Sequence, residues 1–144
     1  MARIGISVLF LASLCLNVVS NHAEGADKMN TTDHAAVEKI SARETKGLLV
    51  NDFAVLVDVR EEDEVKDGMA ADAQWMPMSK IEADDPAWVA FQKKLPKDKK
   101  IVLYCAVGGR AGRVAKMLSE KGFKTANMGG FASWVAAGLP VKKP

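Results

Sequence analysis

The chain has 144 residues, 49% of them hydrophobic and 26% charged, proportions that fit one globular domain with a single core plus a short appendage. Its formal charge of +2 comes from basic and acidic residues spread along the whole length. There is no basic stripe of the kind that neutralises phosphates, which argues against nucleic acid as a partner.

The appendage comes first. Residues 1–28 join a basic Arg3 to an apolar stretch from about Ile4 to Val19, followed by small polar residues. That is the layout of a secretory signal peptide, expected to span residues 1–20 with cleavage near Ser20 and Asn21, Ala23 and Ala26 being alternatives. Export to the periplasm or the exterior follows from it. Left uncleaved, the segment would act as a membrane anchor, the one route to a membrane partner, although it is short for a span, is interrupted by Asn17 and lacks a charged flank. Leu14 stands where a lipoprotein signal needs a small residue before Cys15. Export would leave Cys105 as the single cysteine, so no intramolecular disulfide could form. Residues 21–35 read as a flexible lead-in and residues 36–144 as the folded domain.

Within the domain, Ala36 to Ile40 forms a short strand candidate. Ser41 and Glu44 follow at capping-box spacing and predict a helix start. AVLVDV, Ala54 to Val59, is a compact apolar run suited to a strand buried on both faces. AQWMPM offers another short strand, ended by Pro77. Asp85 and Pro86 supply a cap and a first-turn proline for a helix from Pro86 to about Lys94. IVLYC, Ile101 to Cys105, is the clearest strand. After it, Ala111, Val114, Ala115 and Leu118 share one face of a helix that stops at Gly122. KTANM is a last strand, the two glycines after it a turn, and FASWVAA a short helix closed by Gly138 and Pro140. Strands alternating with helices in this way predict an α/β domain with a mostly parallel central sheet flanked by helices.

In such sheets ligands bind beyond the carboxyl ends of the strands. Cys105 ends its strand just before a helix N-terminus, where partial positive charge and unpaired N–H groups favour the thiolate, the nucleophilic form. Arg110 and Arg113 add fixed positive charge. The bland reading of a free cysteine is a small buried hydrophobe. Both histidines, His22 and His34, lie in or near the flexible lead-in, which argues against a Cys/His dyad. A soft-ligand metal site is equally disfavoured, since only one cysteine falls in the domain.

CAVGGR, Cys105 to Arg110, resembles the Cys-x-x-Gly-x-Arg loop of rhodanese-type sulfurtransferases. LVDVREEDEVKDG resembles the Asp-Val-Arg-Glu stretch of that family, and KGFKTANMGGFASWVAAGLPV its closing pattern of Gly-Phe, strand, Gly-Gly and Trp-bearing helix. Together they cover about Val37 to Val141. The resemblance implies a three-layer fold and a thiosulfate sulfurtransferase that needs no cofactor. Cys105 would take a sulfane sulfur from thiosulfate or a similar small anionic donor, hold it as a persulfide, and pass it to cyanide or a thiol. The amides of Ala106, Val107, Gly108, Gly109 and Arg110 would cradle the sulfur, glycine letting the backbone curl. Arg110 would orient the donor and Arg113 help attract it, a solvated surface arginine being an equal reading of Arg113. A non-catalytic persulfide carrier or partner-binding module is the alternative from a different class. Phosphatases and arsenate reductases on this fold carry one residue more between cysteine and arginine than the four found here, which disfavours phosphate.

Two positions depart from the family pattern. Met69 stands where a histidine is frequent, and Ala111 where a serine is, which leaves donor preference open. Asp58 and Arg60 read as scaffold for a neighbouring loop more readily than as reactants. Trp75, Trp88 and Trp134 read as core or rim, Met76, Met78 and Met128 as core filling. The charge runs REEDE and KKLPKDKK read as solvated faces.

Overall fold

A computed structural model describes residues 36–144; the expected signal peptide, residues 1–20, and the lead-in, residues 21–35, lie outside the described residues. In chain order the elements are β1 (Glu38–Lys39), α1 (Ala42–Val50), β2 (Ala54–Asp58), α2 (Glu62–Val65), β3 (Met69–Ala70), β4 (Ala73–Trp75), α3 (Met78–Glu82), α4 (Pro86–Lys94), β5 (Lys100–Cys105), α5 (Gly109–Glu120), β6 (Lys124–Gly130), α6 (Phe131–Ala136) and β7 (Val141–Lys142).

Five strands form one sheet in the order β1-β6-β5-β2-β4, and every neighbouring pair is parallel. β3 and β7 make a separate antiparallel pair. The apolar runs of β2 and β5 lie in the middle of the sheet, as a parallel sheet covered on both faces requires.

Strand side chains alternate between faces, so each run feeds two cores. Val57, Ile101, Leu103 and Cys105 join Trp88 of α4 and the Ala111, Val114, Ala115, Leu118 face of α5. Leu56, Val102 and Tyr104 join Met69, Met128 and Trp134 on the opposite face. Helices thus cover both faces of the sheet, giving a three-layer α/β fold. Period-two alternation is what aims Cys105 toward α5 and its neighbour Tyr104 away from it.

Local sequence explains the helix starts. Ser41 Oγ accepts from Glu44 N at 3.1 Å while Glu44 Oε2 accepts from Ser41 N at 3.5 Å, the reciprocal box that opens α1. Asp85 Oδ1 accepts from Ala87 N at 2.7 Å ahead of Pro86, the first residue of α4. α5 begins after Gly108, whose φ of 94° is left-handed.

Three details correct the sequence reading. The glycine pair after KTANM is no turn: β6 runs on through Gly129 and Gly130, which face Tyr104 and Cys105 across a register shift. Gly129, at φ 92°, absorbs the extra residue of that bulge. Part of REEDE is the helix α2, and Met69 belongs to a strand, 2% exposed within the apolar core. Trp88, Trp134, Met76, Met78 and Met128 are all buried, as core-filling residues should be.

Candidate active site

Cys105 ends β5 at 1% exposure, and Gly108 N donates to its Sγ at 3.0 Å. Burial pushes the thiol pKa up, but the amides of Ala111, Val107, Gly108 and Arg110 together outweigh it, and the pKa falls below the ordinary value. Backbone dipoles therefore bias Cys105 toward the thiolate. The first turn of a helix has no internal partners for its N–H groups, which leaves those of Arg110 and Ala111 free for the sulfur beside the Val107 and Gly108 amides of the loop.

Besides Val107, Gly108 and Arg110 of the expected cradle, Ala111 contributes its backbone amide although its methyl side chain offers nothing. A Cβ built on Gly130 would meet the carbonyl oxygen of Ala106 at 2.4 Å, so only glycine lets β6 pass beneath the loop. Val107 is 89% exposed at the loop tip.

Asn127 is a site residue that the motif does not contain. Its Nδ2 donates to Gly108 O at 3.0 Å and its Oδ1 accepts from Gly129 N at 2.8 Å, so one side chain ties the loop to the β6 bulge. Beside this seam lies a depression of about 410 Å³ lined by Ile40, Val107, Gly108, Asn127, Met128 and Lys39, among others.

The other flank is charged. Arg110 places Nη1 and Nη2 against Glu64 Oε2 and Oε1, both at 2.6 Å, a two-pronged pair. Hydrogen bonding to Arg110 is the main reason the Glu64 carboxyl is held down to about 2, and Glu64 in turn raises the Arg110 pKa above its ordinary value. The Cys105 charge adds a smaller contribution to that rise, which places the guanidinium within reach of the thiolate's field. Glu64 sits in the run read as a solvated face; its carboxylate also accepts from Glu61 N at 2.9 Å.

Asp58 and Arg60 sit behind that pair, 0% and 4% exposed. Arg60 Nη2 donates to Asp58 Oδ2 at 2.7 Å and to Gly68 O at 2.9 Å, and its Nη1 to Glu64 O at 3.0 Å. Its guanidinium carbon stands 4.1 Å from the centre of the Phe131 ring. Burial works against the Arg60 charge, Asp58 overcomes it, and the pKa rises. Tyr104 Oη accepts from Ala70 N at 3.0 Å, and burial, then the Asp58 charge, push its pKa up, so it stays neutral. Asp58 and Arg60 thus brace α2 and the loop after it, and neither faces the thiol. Arg113 lies apart, paired at the surface with Glu82 at 3.2 Å.

Among the described residues no group of three or more His, Cys, Asp or Glu side chains is arranged to hold a metal ion.

A parallel α/β sheet with a cysteine at the carboxyl end of its central strand, ringed by the amides of the following loop, defines a class of proteins that bind an anion or anionic sulfur against backbone N–H groups. Residues 41–137 match the rhodanese-like domain, and the chain belongs to that family. A sulfurtransferase of Allochromatium vinosum is 33% identical over 92 residues, 62% of this chain and 79% of the relative. The thiosulfate sulfurtransferase GlpE of Coxiella burnetii is 31% identical over 101 residues, 69% of this chain and 88% of the relative. Among solved structures, the polysulfide-sulfur transferase homodimer of Wolinella succinogenes superposes with a TM-score of 0.61 at 30% identity, covering 76% of this chain and 80% of that one. These relatives support sulfur transfer in general terms.

Proposed function

We propose that this protein is a thiosulfate-type sulfurtransferase in which Cys105 carries the sulfur. One observation carries the reading: Gly108 N donates to Cys105 Sγ at 3.0 Å, and the amides of the loop lower the thiol pKa, so backbone dipoles activate the nucleophile. The Cys105 thiolate attacks the outer sulfur of thiosulfate or a similar sulfane donor. The S–S bond of the donor breaks and sulfite, or a thiolate, departs with the bonding pair. The resulting persulfide carries its negative charge on the outer sulfur, where amides of the Val107–Ala111 loop can hold it. Cyanide or a thiolate acceptor then attacks that outer sulfur, leaves as thiocyanate or a new persulfide, and restores the Cys105 thiolate.

Arg110 borders the thiolate at the end of the loop. Arg113, paired with Glu82 and more than half exposed, is left at most a long-range attraction for anions, which salt screens. The Arg3-led apolar segment, residues 1–20, supports export, and sequencing the N-terminus of the mature protein from a cell fraction tests that part.

Intact-mass spectrometry after incubation with a sulfane donor tests the chemistry. A gain of one sulfur atom on the wild type and none on Cys105→Ala is the expected result. No adduct from any sulfane donor, together with phosphate release from an aryl phosphate, would overturn the reading in favour of a phosphatase.

A further inference from the structure

Every arginine around the Cys105 loop is matched by a carboxylate. Arg60 is held by Asp58 at 2.7 Å, Arg110 by Glu64 at 2.6 Å and Arg113 by Glu82 at 3.2 Å. The middle pair decides what the site offers, because Arg110 is the guanidinium nearest in sequence to the loop amides. Both of its terminal nitrogens are taken, in parallel, by the two oxygens of one carboxylate.

Glu64 is not free to swing aside. Its Oε2 also accepts from Glu61 N, and its own carbonyl accepts from Arg60 Nη1 at 3.0 Å. Arg60 is itself buried and fixed by Asp58 and Gly68 O. The carboxylate is therefore pre-placed by a chain of hydrogen bonds that reaches back to the end of β2. What the loop presents to a donor is a ring of amide dipoles beside an arginine whose charge is offset by Glu64. The remaining cation close by, Lys39, lines the depression on the β6 side of the loop.

A dianion and a persulfide make different demands on such a site. Thiosulfate brings two negative charges and needs fixed positive charge to offset its desolvation. A persulfide, R–S–SH, delivers the same outer sulfur with at most one charge at the reacting end. The thiol that receives it is 1% exposed, so the donor must reach it with a slim terminal sulfur, which both supply. Charge is left as the discriminator.

We propose that Glu64 is a specificity-determining residue for sulfur loading: by occupying both terminal nitrogens of Arg110 it turns the Cys105 loop away from dianionic thiosulfate and toward low-charge persulfides. The proposal rests on the sulfur-transfer reading. The step balances without an oxidant. The Cys105 thiolate bonds to the outer sulfur of R–S–SH, the S–S bond of the donor breaks, R–S⁻ leaves and takes a proton from water, and Cys105 holds –S–SH.

The test measures single-turnover loading of Cys105 by mass spectrometry with two donors, thiosulfate and the persulfide of 2-mercaptoethanol, for the wild type and Glu64→Gln. Intrinsic donor reactivity cancels in the ratio of ratios. Freeing the Arg110 charge should raise thiosulfate loading relative to persulfide loading by roughly tenfold, the scale of one unit charge acting at short range near a protein surface. An unchanged ratio, or equal slowing with both donors, would overturn the proposal and reduce Glu64 to a structural part. Should Glu64→Gln fail to fold, the salt dependence of the wild type decides. Thiosulfate loading that stays nearly flat as ionic strength rises supports a charge-matched site, and a steep fall would overturn it. No adduct on the wild type from either donor overturns the sulfur-transfer reading and this proposal with it, whereas an adduct with an unmoved ratio overturns this proposal alone.

Discussion

The carboxyl ends of β2 and β5 lie side by side and are built from similar parts. Each strand ends in a buried residue with an ionisable side chain, Asp58 or Cys105, and each is followed by an arginine, Arg60 or Arg110. At β2 the ionisable groups satisfy one another: Arg60 spends its donors on Asp58, Gly68 O and Glu64 O. At β5 the arginine pairs with Glu64 beside the thiol, and backbone amides meet the sulfur. Saturation makes the first end a brace. The second leaves its nucleophile unsaturated, met by backbone dipoles, and so keeps it available for chemistry.

Substitutions at the brace should break the contrast most severely. Arg60→Met leaves the Asp58 carboxylate buried and unpaired, and breaking such a pair costs about 3–5 kcal/mol. Denaturant unfolding should show that loss, with Cys105 loading failing only because the fold fails. At the other end, Gly130→Ala forces a Cβ to within 2.4 Å of Ala106 O. The loop must shift, at a cost of about 1–3 kcal/mol, and persulfide loading should fall further than the stability loss explains. Asn127→Ala removes both hydrogen bonds of the seam, about 1 kcal/mol each; here loading should slow while the unfolding midpoint moves modestly.

The smallest effect belongs to the partly exposed pair. Glu64 has a folded-state pKa of about 2 against an ordinary 4.5. A carboxyl depressed in the fold stabilises the protein above its unfolded value and loses that contribution as pH falls toward the folded one. Wild-type stability should therefore decline between about pH 4.5 and pH 2. In Glu64→Gln that part of the decline should be missing, with a neutral-pH loss of about 1 kcal/mol or less, as for exposed ion pairs. Urea midpoints measured across that pH range for both proteins would show it.

The sequence carries much of this arrangement because much of it is local. The capping box at Ser41 and Glu44, the Asp85 and Pro86 start of α4, the apolar runs of β2 and β5 and the buried face of α5 each depend on residues a few positions apart. Cys105 at a strand-to-helix junction is legible for the same reason. Glu64 and Asn127 are not. Glu64 meets Arg110 across 46 positions, and a charge run looks the same on paper whether it is solvated or engaged. Asn127 reaches Gly108 across 19 positions and shows no local signal beyond the glycines that follow it. The Gly129 and Gly130 pair reads as a turn because glycines usually break strands; its use as a bulge depends on β5 continuing alongside.

Activation of Cys105 by the loop amides is the claim on which the rest depends, and the pH profile of its alkylation tests it most directly. The rate of iodoacetamide modification at the peptide containing Cys105 follows its thiolate fraction. The account predicts a midpoint clearly below the ordinary thiol value of 9.0, unchanged in Arg113→Gln. A midpoint at or above that value would mean that burial prevails over the loop amides, and it would contradict the account.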